Sequence, residues 1–439
     1  MNKDKHLIVI SADAFVFEDL EYVKDLPNFK RILENGARIE KVRTIYPTIT
    51  HPVHATLLTG APAGVTGVIN NAHFEPGKLN TPWFNRLDEI KCDTILHAAK
   101  RAGLTTAACM FPLVMGGGEY VDYLVPGLMG LDIEGREHRA FEVYKEFGLT
   151  PCLDDAVKRA LDKFGPSLGH PEIDEFSTYL AAEIIRRYKP NLLLTHPGFI
   201  DSARHRSGVF SDFVCQSLRD TDRWIGMLWD AVCDAGIEDS TDIVVLGDHG
   251  QINATRRINT NVFFADKGYI TTDSDGNMTD WKVCAHSTGF SSYVYLKDND
   301  DSAFKKEVYD LLCDMAEENL YGFDQVLTRE EVKERYGLDG EFSFVLETDG
   351  FSTFSDGWVR PVVAPLDLSD YKMGKASHGY LPEKGPQPTF IAAGPSFKKG
   401  AVVEFGNVLN HAPTYAAALG IELRDAVGTK VCEIINSSK

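Results

Sequence analysis

The stretch IVVLGDHG, residues 243–250, is a short apolar run that stops at a carboxylate. The same pattern occurs twice more, where the run at 7–10 leads to Asp13 and the run at 192–194 leads to Asp201. Short apolar runs bounded by Gly, Pro or Asp are typical of buried strands, and helical periodicity fills the segments between them. We therefore predict an α/β fold with a mostly parallel central sheet flanked by helices.

These strand-end carboxylates belong to a larger set of metal-ligating residue types. Ligands bind at the carboxyl edge of an open parallel sheet, so residues far apart in sequence are expected to converge there. A single Asp at a strand end is more often a helix cap. The combination is stronger, because mixed carboxylate and imidazole ligands suit zinc, with manganese or iron as alternatives. The candidate ligands for two metal ions are Asp13, Asp201, His205, Asp248, His249 and His378.

A second informative stretch is YPTITHPVHATLLTG, residues 46–60. A hydroxyl residue before an early Pro, followed by an apolar turn and a Gly, predicts a short helix with Thr50 at its N-cap. A threonine hydroxyl is a weak nucleophile until its alkoxide is stabilised, which a helix N-terminus and a divalent metal can both do. Thr50 is therefore either only a cap or, if the metals lie nearby, a nucleophile.

Several of these motifs together resemble the nucleotide pyrophosphatase/phosphodiesterase branch of the alkaline phosphatase superfamily. Members of that family carry Pro-Thr-x-Thr followed by a Pro and ending in Thr-Gly. The order and identity of the motifs are more specific than any one of them. The resemblance rests on Asp13, residues 47–60, GVINN at 67–71, residues 201–208, GDHG at 247–250, SHGY at 377–380 and AGP at 393–395.

The resemblance implies an alkaline-phosphatase-like core and a role for each candidate. One metal would be held by Asp201, His205 and His378, and a second by Asp13, Asp248 and His249. Thr50 would be the nucleophile and would bridge towards the second metal. Asn71 falls where the family places the amide that donates to a phosphoryl oxygen, and Asn70 is the alternative. Two Zn²⁺ ions are expected, with other divalent metals such as Mn²⁺ as a second option.

The implied reaction is hydrolysis of phosphodiester or pyrophosphate bonds in nucleotide-type substrates through a covalent phosphothreonine. Cleavage of a phosphonoacetate-type carbon–phosphorus bond at the same site is an alternative. A phosphomonoesterase normally needs a cation beside its nucleophile, and residues 44–73 contain no Arg or Lys. A sulfatase needs Cys or Ser where Thr50 stands. A phosphate-transferring mutase would use serine, and a non-catalytic binding protein would be expected to have lost a ligand.

The amino-acid composition narrows the classes of binding partner that we expect. The 439 residues carry a formal net charge of −19, with 44% hydrophobic and 25% charged residues. Such an acidic chain is not expected to bind nucleic acid polymers or membranes, so we expect a small-molecule phosphate ester or phosphonate as substrate. The sequence does not indicate an oligomeric state. The eight cysteines include no Cys-x-x-Cys pair, and no signal-peptide pattern precedes the first strand, so we expect a cytoplasmic protein.

Domain organisation follows from the pattern along the chain. Residues 1–253 and 371–439 are predicted to form the catalytic core, with helices at 87–102, 172–188 and 211–235. The α/β alternation breaks between two candidate ligands, so residues 254–370 are predicted to form an inserted, smaller α+β cap subdomain. A strand at 290–296, a helix at 303–317 and a helix opened by a Thr328–Glu331 capping box are expected within it.

Other polar residues near the motifs leave alternatives open. His51 occupies a position that is commonly Phe in nucleotide-cleaving relatives, and it could line the pocket or bond a phosphate. His54, one turn later, is interpreted as a packed residue. Arg204 and Lys375 are either phosphate contacts or solvated side chains. His196 and His286 show no partner pattern, and we interpret both as structural.

Overall fold

An eight-stranded sheet organises the chain in the computed structural model, which describes residues 4–131, 133–166, 169–366, 368 and 374–436. The strands, numbered in chain order, are β1 His6–Ser11, β2 Ala37–Arg43, β3 Thr106–Cys109, β4 Tyr123–Val125, β5 Leu192–Thr195, β6 Thr241–Leu246, β7 Ile252–Asn253, β8 Arg256–Asn259, β9 Ile270–Thr272, β10 Met278–Trp281, β11 Val283–Ser287, β12 Ser291–Leu296, β13 Phe323–Thr328, β14 Phe344–Thr348, β15 Ser352–Ser355, β16 Val363–Ala364, β17 Ala376–Ser377, β18 Phe390–Ala393 and β19 Val402–Asn407.

Helices surround these strands. They are α1 Leu20–Val23, α2 Pro27–Asn35, α3 Thr50–Thr59, α4 Ala63–Thr66, α5 Ile95–Arg101, α6 Ala140–Glu146, α7 Asp154–Phe164, α8 Glu172–Tyr188, α9 Phe199–Ser207, α10 Asp212–Ala235, α11 Thr260–Asp266, α12 Ser302–Glu318, α13 Arg329–Tyr336 and α14 His411–Leu419. Short 3₁₀ turns lie at Phe17–Asp19, Leu87–Glu89, Arg136–His138, Pro151–Leu153, Glu238–Ser240 and Val408–Asn410. Across the described ranges, no helix combines the length and apolarity needed to cross a bilayer.

The order of strands in the large sheet is β19-β2-β18-β6-β1-β5-β3-β4. β18 runs antiparallel to both of its neighbours, and the other pairings are parallel. β1 lies between β6 and β5, with Ser11 paired to Leu246 and Ile10 paired to Thr195. The three strands that precede the candidate carboxylates are therefore adjacent, parallel and aligned at their carboxyl ends.

Helices cover both faces of this sheet, which explains why its strands are apolar without alternation. Successive side chains of β1 point to opposite faces, so Leu7 and Val9 join one buried cluster while Ile8 and Ile10 join another. The first cluster includes residues of α3, α5 and α14, and the second includes residues of α8 and α10. The site at the strand ends thus rests on a core packed from two sides.

Two of the predicted helices agree closely with the structure and one does not. α8 has the predicted bounds, and α10 begins one residue after Ser211, whose hydroxyl caps it by accepting from the Val214 N–H. The prediction of one helix over 87–102 was wrong, because a 3₁₀ turn and α5 divide this segment. Thr94 accepts a hydrogen bond from the His97 N–H and so caps a new helix within the predicted one.

The region between His249 and His378 builds a second, four-stranded antiparallel sheet in the order β11-β12-β14-β13. α12 extends the predicted helix by one residue at each end and packs on β13. Thr328 accepts from the Glu331 N–H at the start of α13, as the capping-box pattern predicts. Whether 254–370 forms a separate cap subdomain stays a prediction.

A buried carboxylate ties this second sheet to segments that flank the candidate site. Glu347 in β14 accepts hydrogen bonds from the Tyr46 hydroxyl at 2.9 Å and the Leu381 N–H at 3.0 Å. The Lys384 ammonium lies 3.1 Å from the same carboxylate. Tyr46 precedes α3, and Leu381 follows His378, so one side chain connects three distant parts of the chain. Burial raises the pKa of Glu347 to about 7.

We expect Gly247→Ala to destabilise the fold. A Cβ at this position would lie 1.8 Å from the Phe15 carbonyl oxygen, because β6 and the loop after β1 approach closely. Overpacking of this kind costs roughly 1–3 kcal/mol. Urea unfolding would measure the loss. Gly118→Ala is the control, since a Cβ there would meet nothing within 4 Å; equal stability of the two variants would contradict the packing argument.

Glu347 also predicts a pH dependence of stability. Because the folded state raises the pKa of Glu347 to about 7, it retains a proton that the unfolded chain releases. The contribution of Glu347 to the unfolding free energy should therefore fall as pH rises from about 5 to about 7. Glu347→Gln should lose this slope, whereas Glu318→Gln on the exposed end of α12 should keep it. Urea titrations from pH 5 to 8 would test the difference, and identical slopes would refute it.

Candidate metal centre and active site

The three candidate carboxylates meet at the carboxyl edge of the large sheet. Asp13 lies two residues after β1, Asp248 lies two residues after β6, and Asp201 lies in α9, which follows β5. All three are buried. Their convergence follows from the parallel, adjacent arrangement of the strands that precede them.

One group of potential ligand atoms comes from Asp201, His205 and His378, which lie within 4.8 Å of one another. The Nε2 atom of His205 is 3.3 Å from one Asp201 oxygen, and that of His378 is 3.8 Å from the other. Asp201 and His205 share a face of α9 because they are four residues apart. His378 joins them from the segment that follows β17.

A second group forms around His249. Its Nε2 atom lies 3.4 Å from an oxygen of Asp13 and 3.4 Å from an oxygen of Asp248. Potential ligand atoms of Asp13, Asp201 and His249 also lie within 4.8 Å of one another. Asp201 is therefore close to both groups, whereas the family resemblance places Asp248 with Asp13 and His249. The assignment of these ligands to individual ions stays a prediction.

Hydrogen bonds to main-chain carbonyls orient two of the imidazoles. The Nδ1 atom of His205 donates to the Ala376 carbonyl at 2.7 Å, and that of His249 donates to the Gly250 carbonyl at 3.3 Å. A carbonyl can only accept, so Nδ1 carries the proton and Nε2 keeps its lone pair. This is the usual way in which a protein prepares histidine as a metal ligand.

The electrostatics of the cluster fit divalent cations. Burial, followed by the neighbouring Asp201 and Asp248, raises the pKa of Asp13 well above its usual range. Asp13 Oδ1 and Asp248 Oδ2 are buried and accept no hydrogen bond from the described residues. Buried carboxylate oxygens require a cation or a donor, and the imidazole and carboxylate set is one that zinc accepts. The residues present therefore fit divalent metal ions, and the number of ions stays a prediction.

Thr50 lies against this cluster. Its hydroxyl is 3.2 Å from Nε2 of His249. The structure places Ile49 at the N-cap and Thr50 as the first residue of α3, so the predicted N-cap position was wrong by one residue. The reason is that the hydroxyl of Thr50 faces His249 and forms no cap to its own helix. The N-terminal end of α3 still lies beside the hydroxyl.

The two neighbouring asparagines have different environments. The side-chain oxygen of Asn71 accepts from the His51 N–H at 2.8 Å, which leaves its amide N–H groups to donate elsewhere. Asn71 lines the same cavity as Thr50. Asn70 instead donates to the Ser287 carbonyl at 3.1 Å and accepts from the Asn71 N–H at 2.7 Å. The geometry therefore favours Asn71 over Asn70 as the residue that contacts a ligand.

The structure distinguishes the alternatives that the sequence left open. His51 is buried, with its ring edge-on to Trp83 at 5.1 Å between centroids. His54 hydrogen bonds the Thr50 carbonyl at 2.8 Å. Arg204 is fully buried in an ion pair with Asp19 at 2.6 Å, so it cannot be a phosphate contact.

The side chains of Lys375 and His286 do not line the cavity in the part of the chain that the structure describes. The Lys375 side chain is exposed. Nδ1 of His286 lies 3.3 Å from a carboxylate oxygen of Asp356, which suits a structural residue.

Two polar residues belong to the site although the sequence did not indicate them. Nδ1 of His196 bonds the Ser11 carbonyl at 2.9 Å, and its Nε2 lies 3.2 Å from Asp13. The Gln251 amide donates to the Asp201 carbonyl at 3.1 Å and to its carboxylate. His196 directly follows β5, and Gln251 follows the Asp-His-Gly motif. Their position beside a strand-end motif is the sequence feature that could have indicated that they belong to the site. The interpretation of His196 as only structural was incomplete.

A cavity of about 500 Å³ opens onto the cluster. Its lining includes Asp13, Thr50, Asn71, Asp201 and His378. A single phosphoryl group would fill only part of this volume, since ligand pockets of about 300–1,000 Å³ hold drug-sized molecules. The site can therefore hold a phosphoryl group at the cluster together with a larger attached group.

The class of protein that this fold and site define is an alkaline-phosphatase-like α/β protein with a paired metal-ligand cluster. The profile of the family "Type I phosphodiesterase / nucleotide pyrophosphatase" matches residues 7–380, so the chain belongs to that family. Members of this family are metal-dependent. The predicted fold and family are thus confirmed.

Relatives and solved structures agree with this assignment. Human ectonucleotide pyrophosphatase/phosphodiesterase family member 5 is 23% identical over 446 residues, covering 98% of this chain and 78% of the relative. Venom phosphodiesterase of Naja atra is 27% identical over 251 residues, covering 56% of this chain. That match spans only 26% of the venom protein's length.

Among solved structures, murine ectonucleotide pyrophosphatase/phosphodiesterase 5 has a similar fold. The TM-score is 0.67 at 20% identity, and the alignment covers 98% of this chain and 100% of that one. That structure is of an inactive threonine-to-alanine variant in complex with AMP.

Asp201→Asn tests the metal centre. Because Asp201 lies in both groups of potential ligands, its loss should weaken zinc binding by at least about tenfold and lower the zinc retained after dialysis. Plasma mass spectrometry would count the metal. Asp242→Asn is a matched control, since Asp242 is a buried carboxylate at the other end of β6 that accepts from the Ser396 N–H. Unchanged zinc content in Asp201→Asn would contradict the assignment.

Proposed function

We propose that the chain hydrolyses phosphodiester or pyrophosphate bonds in nucleotide-type substrates, with Thr50 as the nucleophile. The observation that carries the proposal is the position of the Thr50 hydroxyl, 3.2 Å from His249 within the ligand cluster. The same hydroxyl lines the cavity and lies at the N-terminal end of α3. A nucleophile in this position could reach a phosphoryl group held at the cluster.

Thr50 carries out the nucleophilic attack, and other groups of the chain stabilise the negative charge that develops. Thr50 loses its hydroxyl proton to water and attacks phosphorus, forming a new P–O bond while the bond to the leaving oxygen breaks and that oxygen takes up a proton from water. Water then attacks the phosphothreonine, the bond between phosphorus and the Thr50 oxygen breaks, the phosphoryl product is released, and a proton of the attacking water returns to Thr50. The amide N–H groups of Asn71 donate to a phosphoryl oxygen, on which negative charge increases in the transition state. The positive end of α3 favours the Thr50 alkoxide.

Two divalent ions fit the donor set, and we propose zinc. Asp201, His205 and His378 would hold one, and Asp13, Asp248 and His249 the other. When bound, they supply positive charge that lowers the pKa of the attacking hydroxyl and balances the phosphoryl oxygens. His196 and Gln251 contact Asp13 and Asp201 respectively, and so would hold these two carboxylates in place.

The comparisons support this choice of substrate class. A structural neighbour binds AMP, and its threonine-to-alanine variant is described as inactive. The family is described as type I phosphodiesterase and nucleotide pyrophosphatase. A nucleoside monophosphate moiety would place its phosphoryl group at the cluster and its larger part in the cavity.

Thr50→Ala should abolish turnover while keeping fold and metal. We expect kcat/KM for bis-p-nitrophenyl phosphate to fall by at least about a thousandfold in zinc-loaded protein, because the covalent route is lost. Release of p-nitrophenolate gives the rate, and zinc content checks the metal.

Thr48→Ala is the matched control for this experiment. The Thr48 hydroxyl donates to the Tyr380 carbonyl at 2.9 Å and does not lie against His249. This variant should therefore retain most of the activity. Turnover that survives in Thr50→Ala, or is lost equally in both variants, would refute the role of Thr50.

A further inference from the structure

The cavity that opens onto the metal cluster has an extensive apolar wall. Its lining combines the cluster residues Thr50 and Asp201 with apolar side chains. The apolar lining consists of Trp83, Met110, Leu128, Met129, Leu131 and Ile173. A substrate group in this part of the cavity therefore needs an apolar body.

The charged groups beside that wall are mainly basic. Besides the metal-cluster residues and His196, the ionisable lining residues are Arg136, His170, Asp174 and Arg206. Asp174 is already occupied, since one oxygen accepts from the Gly198 N–H at 2.6 Å and the other bonds His170 Nδ1 at 2.6 Å. The other three of these ionisable lining residues are basic, although the net charge of the chain is −19.

Arg136 is the more exceptional of the two arginines. It is half-buried, and its guanidinium makes a long contact of 3.4 Å to the Leu128 carbonyl and a hydrogen bond with the Tyr144 hydroxyl, which is uncharged. No described carboxylate pairs with it, whereas the nearby Arg139 is ion-paired with Glu146 on the exposed surface. Burial lowers the pKa of Arg136, which reflects the missing counter-charge. A half-buried guanidinium of this kind gains most from an anionic partner.

His170 offers a second, fixed donor. Its Nδ1 is held by Asp174, and its ring is parallel to that of Phe199, with centroids 6.4 Å apart. Within the described residues, no hydrogen bond engages its Nε2. Burial lowers the pKa of His170, but the neighbouring carboxylates, Asp174 foremost, together outweigh this effect and the net shift is upward. The hydrogen bond to Asp174 and the contact with Phe199 hold the ring in one orientation.

We propose that Arg136 and the His170–Asp174 pair form a subsite for a second anionic group of the substrate, a carboxylate or a phosphate. The apolar wall would hold the body that connects this group to the phosphoryl group at Thr50. This inference rests on the proposed function, because it assumes that the scissile phosphoryl group occupies the metal cluster. It makes Arg136 a residue that determines specificity among phosphate esters.

Binding measurements on zinc-loaded Thr50→Ala protein test the subsite without turnover. The probes are phenyl phosphate, 4-carboxyphenyl phosphate and benzene-1,4-bisphosphate, which share a ring and differ in the second anion. Isothermal titration calorimetry should show at least about tenfold tighter binding for one or both doubly anionic probes, since charge-assisted hydrogen bonds to Arg are stronger than neutral ones. Whichever of the two binds more tightly identifies the anion as carboxylate or phosphate.

Second-site variants separate a direct contact from a structural effect. Adding Arg136→Gln or His170→Gln should remove most of the preference for the doubly anionic probes while leaving phenyl phosphate binding unchanged. Arg139→Gln should change nothing. Equal affinity for the three probes, no detectable binding of any probe, or an equal loss for all probes in Arg136→Gln would overturn the proposal.

Turnover by the unmodified protein distinguishes this inference from the proposed function. The substrates are p-nitrophenyl phenyl phosphate and p-nitrophenyl 4-carboxyphenyl phosphate. If both are cleaved with equal kcat/KM and Arg136→Gln alters neither value, the subsite is wrong while the phosphodiesterase activity stands. If neither is cleaved but the binding preference and its loss in Arg136→Gln are observed, the role of Thr50 is wrong and the subsite stands.

Discussion

The burial of three carboxylates at one edge of a sheet is the constraint on which the site depends. Asp13, Asp201 and Asp248 follow adjacent strands, and burial together with the other two carboxylates raises the pKa of Asp13. Such a cluster is stable as charged groups only when cations or donors balance it. The surrounding imidazoles and main-chain N–H groups supply hydrogen-bond donors to these carboxylates, and the arrangement of the side chains leaves them able to bind cations.

Residues from distant parts of the chain together balance the negative charge of these carboxylates. His205 is oriented by the carbonyl of Ala376, and His378 follows two residues later, so one returning segment both orients one ligand and contributes another. Glu347 links the second sheet to the segments before Thr50 and after His378. The long region between His249 and His378 is therefore joined by hydrogen bonds to segments that flank the site, although its main strands lie in a separate sheet.

Charge distribution explains how an acidic chain can accept anionic ligands. The net charge of −19 is partly the metal-ligand set itself, whose charge would be offset by divalent ions. Beyond that set, the cavity combines apolar walls with a guanidinium and an imidazole whose carboxylate partner is fully engaged. The net charge of the whole chain repels an anion, whereas the cavity can still attract it. The reason is that the nearest charges dominate the electrostatic potential inside a cavity.

The sequence by itself determined the elements that depend on neighbouring residues. Apolar runs located β1, β5 and β6, capping residues located α10 and α13, and the position of Asp or His after a strand located the ligand cluster. These features are local because strand burial and helix capping act over a few residues. The helix predicted from residue 87 begins only at Ile95, and the N-cap of α3 was predicted one residue too late, because competing local hydrogen bonds decide such boundaries.

Only the tertiary structure decided which side chains meet. Arg204 resembled a phosphate contact in sequence, but Asp19, 185 residues away, occupies it in a buried ion pair. His196 looked partnerless until β1 and β5 paired and brought Asp13 within 3.2 Å. Arg136 and His170 likewise line the same cavity only because the chain folds them together. Contacts of this kind depend on strand order and packing, which no short stretch of sequence specifies.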